Sequence, residues 1–278
     1  MIKMTNEEMK DKALNLLTSF IENELPNKRI EDLMSYSFWN IKDNKTFNGY
    51  SGEYDGDRTN IVYAIDYLLY CGKNFPNFTL RGYNAESDTD ANYSGETICS
   101  FNTLFAKDLS RREQIKKLFG KEWFEVEDFF YIYQTIGNFM LLPSKTDDIE
   151  MSINKYKGFY NKDYIDFFLL NLKFYLENKS STKPLGRLLD VNKFYFTENK
   201  RYVDFITDFY LTDFDQLKLN GTHYFWWYKD SKIFTDEQVF TKYKIFALDF
   251  VRKSKNIINK RSAIIINLLK NKYKQLQN

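Results

Sequence analysis

Apolar residues recur at helical spacing along most of the chain. Near the N-terminus, Thr5 and Glu8 have the spacing of a capping box and precede apolar positions three and four residues apart. This pattern predicts a first helix over residues 6–24. A second helical pattern follows over residues 61–69 and ends at Gly72, a residue type common just beyond helix ends.

The second half of the chain continues in the same way. A capping box at Ser110 predicts a short helix that ends at Gly120, and residues 125–134 have the pattern of another. Residues 161–177 are apolar on nearly all sides, which predicts a central, buried helix. Pro184 fits the first turn of a further short helix, where its missing N–H has no partner to lose.

The C-terminal segment begins with a third capping-box pattern, Thr235 to Gln238. Apolar residues then recur at helical spacing to Leu269, which predicts a basic helical segment over residues 236–276, as one long helix or two.

The least helical region spans residues 73–108, where short apolar pieces alternate with polar loops. We expect strands or extended segments there. No repeat or clear linker divides the chain. The predicted fold is therefore mainly α (α+β), a single globular helical domain over residues 1–278 with a minor extended or β element around residues 73–108.

Composition fits a soluble globular protein, with 43% hydrophobic and 28% charged residues. Two cysteines cannot build a disulfide framework, and the N-terminus has no pattern of a signal segment, so a cytoplasmic location is expected. The apolar runs are far shorter than the roughly 20 residues that cross a bilayer, so no membrane span is expected.

Residues 135–159 have the densest set of backbone-shaping residues between two apolar blocks. Gly137 and Pro143 free or restrict the backbone, and Asn138 and Asn154 can hydrogen-bond neighbouring main-chain groups. The segment is predicted to be a turn system. Whether it braces the following helix or lines a pocket is left open.

The single histidine, His223, excludes metal motifs and acid/base pairs that need two histidines. A lone histidine among aromatic residues is more often a packed, hydrogen-bonded residue than a catalytic one. Because histidine titrates near neutral pH, a catalytic role stays open. Residues 55–66 partly match a calcium loop, but Asn60 replaces the glycine that the bend requires. We therefore favour Asp57 or Thr59 as the cap of the next helix.

Four aspartates between residues 204 and 215 could share a metal or a proton, although solvated helix-face charges are the commoner explanation. The chain has neither of the usual glycine-rich loops that bind phosphate. No metal and no cofactor is expected on these grounds.

Charge is distributed unevenly, because residues 250–278 hold eight basic side chains and no acidic one. Lys253, Lys260 and Lys274 follow a seven-residue spacing, which places them along one helix face. This face, with Arg261 nearby in sequence, is a candidate surface for phosphates. The alternative is a solvated helix whose late lysines complement its own dipole.

The segment from residue 134 to residue 213 resembles a family of uncharacterised bacterial proteins classed as a domain of unknown function. The matching motifs, in order, are Thr135-Ile136-Gly137 with Met140 and Pro143, Ile153-Asn154 with Gly158-Phe159, Pro184-Leu185-Gly186, and Tyr202-Val203-Asp204-Phe205. Lys157 stands where the family pattern has arginine, which weakens an anion-binding role at that bend. The resemblance implies no established activity.

A second, short likeness of residues 136–142 is to histidine-dependent nuclease modules. The chain lacks the upstream His-x-x-Pro that the mechanism of these modules needs.

We expect an intracellular bacterial or mobile-element protein that acts by binding nucleic acid or a protein partner through the basic C-terminal helix and the 138–158 loop. The alternative is an enzyme acting on a nucleotide or nucleic-acid substrate. Its pocket, near residues 135–159, would be built from Arg58, Asn138, Asn154 and Lys157, with either His223 or a pair of aspartates as the acid/base group. The sequence does not determine the oligomeric state.

Overall fold

A computed structural model describes residues 4–38, 59–73, 75–80, 83–84, 91–99, 109–145, 153, 156–157, 165–178, 183–215 and 235–277. The α-helices in this part of the chain are α1 (Asn6–Glu24), α2 (Asn60–Tyr70), α3 (Leu109–Phe119), α4 (Trp123–Tyr133), α5 (Ile165–Asn178), α6 (Lys183–Val191), α7 (Tyr202–Asp208), α8 (Thr212–Asp215) and α9 (Glu237–Gln277). Short 3₁₀ turns span Ile30–Met34, Gly120–Glu122 and Ile136–Asn138, and the strands are β1 (Tyr93–Thr97) and β2 (Phe139–Pro143). The predicted mainly α fold with a minor β element is confirmed.

Helix α1 has the bounds that its sequence predicts, because its capping box forms. The Thr5 hydroxyl accepts a hydrogen bond from the Glu8 amide at 3.2 Å, and the Thr5 amide donates to the Glu8 carboxylate at 2.6 Å. Its buried apolar face packs against α2. Thr59 caps α2 by accepting from the Val62 amide at 3.4 Å, so of the two predicted caps Thr59 is the one observed.

The two strands form an antiparallel pair in which Gly95 lies opposite Leu141. Strand β1 falls within the region predicted to be extended, whereas β2 falls within the residues predicted as a turn system. All five residues of β2 are buried, so its sequence lacks the alternation that marks a half-exposed strand.

Helix α5 is less buried than its sequence predicts. Phe168 and Leu172 lie in the core, but Leu170 is 61% exposed and Phe174 is 54% exposed. The expectation of a helix buried on all sides is therefore wrong, because α5 has only one face toward the core.

Helix α9 is one continuous helix of 41 residues and contacts α2, α4 and the turns at 30–34 and 136–138. Its cap is Asp236 rather than Thr235, since the Asp236 carboxylate accepts from the amides of Gln238 at 2.9 Å and Val239 at 3.1 Å. None of the helices in the described ranges has the length and hydropathy of a membrane span.

The 136–138 turn approaches α9 so closely that residue 137 must be glycine. A Cβ on Gly137 would lie 2.1 Å from the main-chain oxygen of Ile258 and 2.3 Å from the Ser262 hydroxyl. Main-chain atoms of a packed helix cannot move aside as a flexible side chain can, so the contact fixes the distance between the turn and α9.

We therefore expect Gly137→Ala to lower the free energy of unfolding by about 3 kcal/mol or more, because the added methyl group forces the turn away from α9. Gly120 is the matched control: it has a φ of +57° but no atom within 4 Å of the added Cβ. Gly120→Ala should cost only about 1 kcal/mol, the penalty of a left-handed backbone for alanine. Urea denaturation measures both, and equal losses would contradict the close approach at Gly137.

Candidate functional site

Asn138, a predicted binding residue, lies in the interior and holds main-chain groups together. Its side-chain oxygen accepts from the Cys99 amide at 2.9 Å, and its amide nitrogen donates to the main-chain oxygens of Cys99 at 2.9 Å and Tyr133 at 2.7 Å. These three bonds use both amide protons and one side of the oxygen. Asn138 thereby joins the end of β1 to the end of α4.

Lys157 is also buried, with a side chain that has no exposed surface. Its Nζ donates to the main-chain oxygen of Thr97 at 2.5 Å and lies 3.9 Å from the Glu96 carboxylate. In this conformation neither Asn138 nor Lys157 presents its side chain at the surface. The proposed pocket near residues 135–159 therefore gains no support from them and stays a prediction.

Arg58, Asn154 and His223 lie outside the described residues. Their predicted roles, and the calcium-loop alternative that begins at Asp55, stay predictions.

Arg261 is on the inner face of α9 and is 1% exposed. Its guanidinium donates to the main-chain oxygens of Tyr210 at 3.1 Å, Gly137 at 2.9 Å, Phe209 at 3.2 Å and Phe139. A buried arginine is tolerated only when its N–H groups are satisfied, and here carbonyl groups accept from four of the five. The side chain thus joins α9 to the start of β2 and to the end of α7.

A carboxylate and a phenol lie beside this guanidinium. Asp66 on α2 is 3% exposed, and its Oδ2 accepts no hydrogen bond from the described residues. Burial raises the pKa of Asp66 to about 7, and the positive charge of Arg261 acts in the opposite direction. Burial likewise raises the pKa of Tyr70, so its hydroxyl stays neutral. In the sequence Asp66 is the last position of the partial calcium loop, but it lies four residues after Val62 and three before Leu69, both buried, and this helical spacing marks it as inward-facing.

The basic residues of α9 are largely engaged within the protein. Besides the buried Arg261, four of the eight form ion pairs within the described part of the chain: Arg252 with Glu125, Lys253 with Asp249, Lys255 with Asp128, and Lys270 with Glu31. Acidic side chains from α4 and from the 30–34 turn supply three of these partners. The charge excess of the C-terminal segment is therefore partly balanced when the chain folds.

The solvent-facing side of α9 carries a different set of residues, which we call the outward stripe. It consists of Lys253, Asn256, Lys260, Ile264, Asn267, Asn271 and Lys274, all at least partly exposed. Lys260 and Lys274 have no acidic partner among the described residues. The seven-residue spacing read from the sequence therefore corresponds to one exposed face, whereas Arg261 lies on the opposite side.

Three of the four aspartates between residues 204 and 215 have separate partners. Asp204 pairs with Arg201 at 2.9 Å, Asp208 with Lys200 at 2.9 Å, and Asp215 accepts from a tyrosine hydroxyl. In the ranges that the structure describes, no three His, Cys, Asp or Glu side chains are grouped closely enough to hold a metal ion.

Replacement of Arg261 tests whether its branched set of N–H groups is needed to hold α9 against β2 and the end of α7. Arg261→Lys keeps the charge but cannot reach carbonyls on two segments, so we expect a loss of about 3 kcal/mol in the free energy of unfolding. Arg252→Lys, on the exposed side of the same helix, should cost less than about 1 kcal/mol. Chemical denaturation of both variants measures the difference, and a similar loss for the two would contradict the bracing role of Arg261.

Asp66 should make stability depend on pH. Its folded pKa of about 7 lies above the ordinary value near 3.9, so between these values the folded chain holds a proton that the unfolded chain releases. Stability contributed by this group is present at about pH 4 and falls by roughly 1.4 kcal/mol per pH unit up to about pH 7.

Asp66→Asn removes this titration. The free energy of unfolding of the variant relative to wild type should therefore rise from pH 5 to pH 7 and level off above it. Urea titrations at pH 5, 6, 7 and 8 measure it, with the exposed Asp190→Asn as control. A difference that stays constant over this range would show that Asp66 titrates as an ordinary carboxylate.

The comparison with protein families adds one result. A model for a family of unknown function (DUF6994) matches residues 70–265, a span that includes Asn138, Lys157 and Arg261. No curated protein and no solved structure matches the chain. Because the matched span covers more than half of the 278 residues, the protein belongs to the DUF6994 family, whose function is unknown.

Proposed function

We propose that the protein acts by binding a polyanion, with nucleic acid as the class of partner, through the outward stripe of α9. The observation that carries this proposal is the composition of the stripe. Its polar members are lysines and asparagines, and the sequence contains no carboxylate side chain after Asp249. Lysine ammonium groups and asparagine amides are both donors that contact phosphate and sugar oxygens.

The length of the stripe favours a polymer over a small anion. Lys253 and Lys274 are 21 residues apart, which corresponds to about 32 Å at about 1.5 Å per residue. A small ligand cannot contact cations so widely spaced. A nucleic acid backbone offers phosphates along the whole distance, and counterion release makes each lysine contact favourable at low salt.

The ion pairs of α9 limit how strong such binding can be. Arg252 and Lys255 lie off the stripe and are paired with acidic groups of α4, so we do not count them as phosphate contacts. Of the three stripe lysines, Lys260 and Lys274 have no acidic partner in the described part of the chain, whereas Lys253 must exchange its exposed pair with Asp249, which costs little. Backbone contacts of this kind carry no sequence information, so the binding should be weak, sensitive to salt and indifferent to base sequence.

A protein partner is the alternative, and it has less support at this surface. Ile264, 42% exposed, is the one large apolar side chain of the stripe. The centres of protein interfaces are enriched in aromatic and apolar side chains and depleted of lysine, a composition opposite to that of the stripe.

The setting that we propose is the cytoplasm of a bacterium, or a mobile element carried by one. Free cysteines fit a reducing compartment, and both Cys71 and Cys99 are free thiols. A role in defence against phage would agree with nucleic-acid binding and is part of the same proposal.

The salt dependence of DNA binding tests the proposal. With about three phosphate contacts, log K should fall with log salt with a slope of about −2 to −3, a loss of roughly 40-fold between 50 and 200 mM salt. Lys260→Gln with Lys274→Gln should reduce the magnitude of this slope by about two, because each lysine contributes about one. Fluorescence anisotropy with labelled duplexes of two unrelated sequences measures both quantities.

The matched control is Lys121→Gln with Lys193→Gln, two exposed lysines outside α9. This variant has the same net charge as the stripe variant, so a general charge effect would weaken binding equally in both. Equal weakening, or no binding of wild type at 50 mM salt, would overturn the proposal.

A further inference from the structure

Lys73 lies just beyond the C-terminal end of α2 and is half-buried. Its Nζ donates to the main-chain oxygen of Asp208 at 2.5 Å, which joins the end of α2 to the end of α7. This bond uses one of the three N–H groups of the ammonium. The other two N–H groups form no hydrogen bond with the described residues.

Aromatic rings surround the Lys73 amine. The Nζ lies 3.9 Å from the centre of the Tyr210 ring, 5.4 Å from that of Tyr70 and 6.0 Å from that of Phe75. Ring faces attract a cation, but they also replace the water that would otherwise hydrate it. Burial raises the pKa of both tyrosines, so neither ring supplies a negative charge.

The charged groups around Lys73 are unbalanced. Lys272 Nζ lies 3.8 Å from the position of a Cβ on the neighbouring Gly72, and the buried Arg261 is a second cation. The negative charge near Lys73 is the Asp208 carboxylate, which accepts hydrogen bonds from Lys200 at 2.9 Å and from the Tyr195 hydroxyl. Burial, together with the charges of Lys272 and Arg261, lowers the pKa of Lys73 to about 8, although Asp208 acts in the opposite direction.

We propose that Lys73 is a modification site, a nucleophilic amine that takes an acyl group from phosphate-bearing acyl donors. The aromatic walls and the adjacent cations favour a neutral amine, which is the form that attacks a carbonyl carbon. Lys272, which lies against Gly72 and whose charge acts on the amine, supplies a positive charge for the phosphate of the donor. This inference is independent of the proposed function, because Lys73 and Lys272 are not part of the outward stripe.

The reaction is a simple acyl transfer. The lone pair of Lys73 Nζ attacks the acyl carbon, and the bond between that carbon and the phosphate oxygen breaks. Phosphate leaves with the electron pair, and the amine loses one proton to water. The product amide is neutral, so it loses the attraction to the Tyr210 ring and weakens the contact between α2 and α7.

Lys200 provides a comparison within the same cluster. It also lies over an aromatic ring, 4.2 Å from the centre of Tyr195. However, its Nζ forms a direct ion pair with the Asp208 carboxylate at 2.9 Å, which holds the ammonium group in place. The structure therefore distinguishes two ring-contacting lysines of similar burial by their charge partners.

The test is acetylation of the full-length protein with acetyl phosphate at pH 8, followed by mass spectrometry of each site over time. Lys73 should react about tenfold faster than the exposed Lys193, because a much larger fraction of its amine is neutral. Lys200 should react no faster than Lys193. Lys272→Gln should slow Lys73 severalfold and leave Lys193 unchanged, and circular dichroism checks that this variant folds.

A second arm uses a neutral donor, an N-hydroxysuccinimide ester of acetate, at the same pH. Fast reaction of Lys73 with this ester but not with acetyl phosphate would overturn the assignment of the donor class. Reaction of Lys73 no faster than Lys193 with both donors would overturn the modification site itself. Neither result bears on DNA binding, which the stripe variants test separately.

Discussion

The structure depends on a buried guanidinium that is held by carbonyl groups. Arg261 contributes a full positive charge to the interior, and such a charge is stable there only when its N–H groups are satisfied. Four main-chain oxygens do this, from the 137–139 segment and from residues 209–210. Three parts of the chain that are far apart in sequence are thereby fixed around one side chain.

This arrangement explains why the close approach at Gly137 is needed. The Gly137 carbonyl can accept from Arg261 only while the turn lies against the main chain of α9 near Ile258. A larger residue would separate the two and leave part of the guanidinium without an acceptor. Steric constraint and hydrogen bonding therefore act together, and loss of either weakens the other.

Asp66 shows a further consequence of placing a charge in the core. Its carboxylate lies near Arg261 but has an oxygen with no hydrogen bond from the described residues. Attraction to the guanidinium offsets only part of the desolvation, so the pKa of Asp66 stays far above that of an exposed aspartate. The guanidinium donates its hydrogen bonds to neutral groups, and Asp66 contributes only the opposite charge.

Local signals predicted the helices well, because capping and apolar spacing are properties of neighbouring residues. Thr5 with Glu8, and Thr59, act as their sequence indicates. Strand β2 was missed because every one of its residues is buried, so its sequence shows an apolar run without alternation. The bracing roles of Asn138 and Lys157 depend on Cys99 and Thr97, partners some 39 and 60 residues away, which no local pattern identifies.

Arg261 is different, because its inward position could be inferred from the sequence. It lies four residues after Ile257 and four before Ile265, both buried, and helical spacing places all three on one face. When Arg261 is grouped with Lys253 and Lys260 by charge alone, its inward position is overlooked.

The position of each basic side chain on α9, buried, paired or exposed, also bears on what the helix can bind. A basic helix informs about a partner only through the cations that folding leaves accessible to solvent. On α9 the inner cation braces the core and several lateral ones pair with acids of neighbouring elements. What remains for a partner is the outward stripe, so its few lysines, and not the charge of the whole segment, determine how strongly a phosphate backbone can bind.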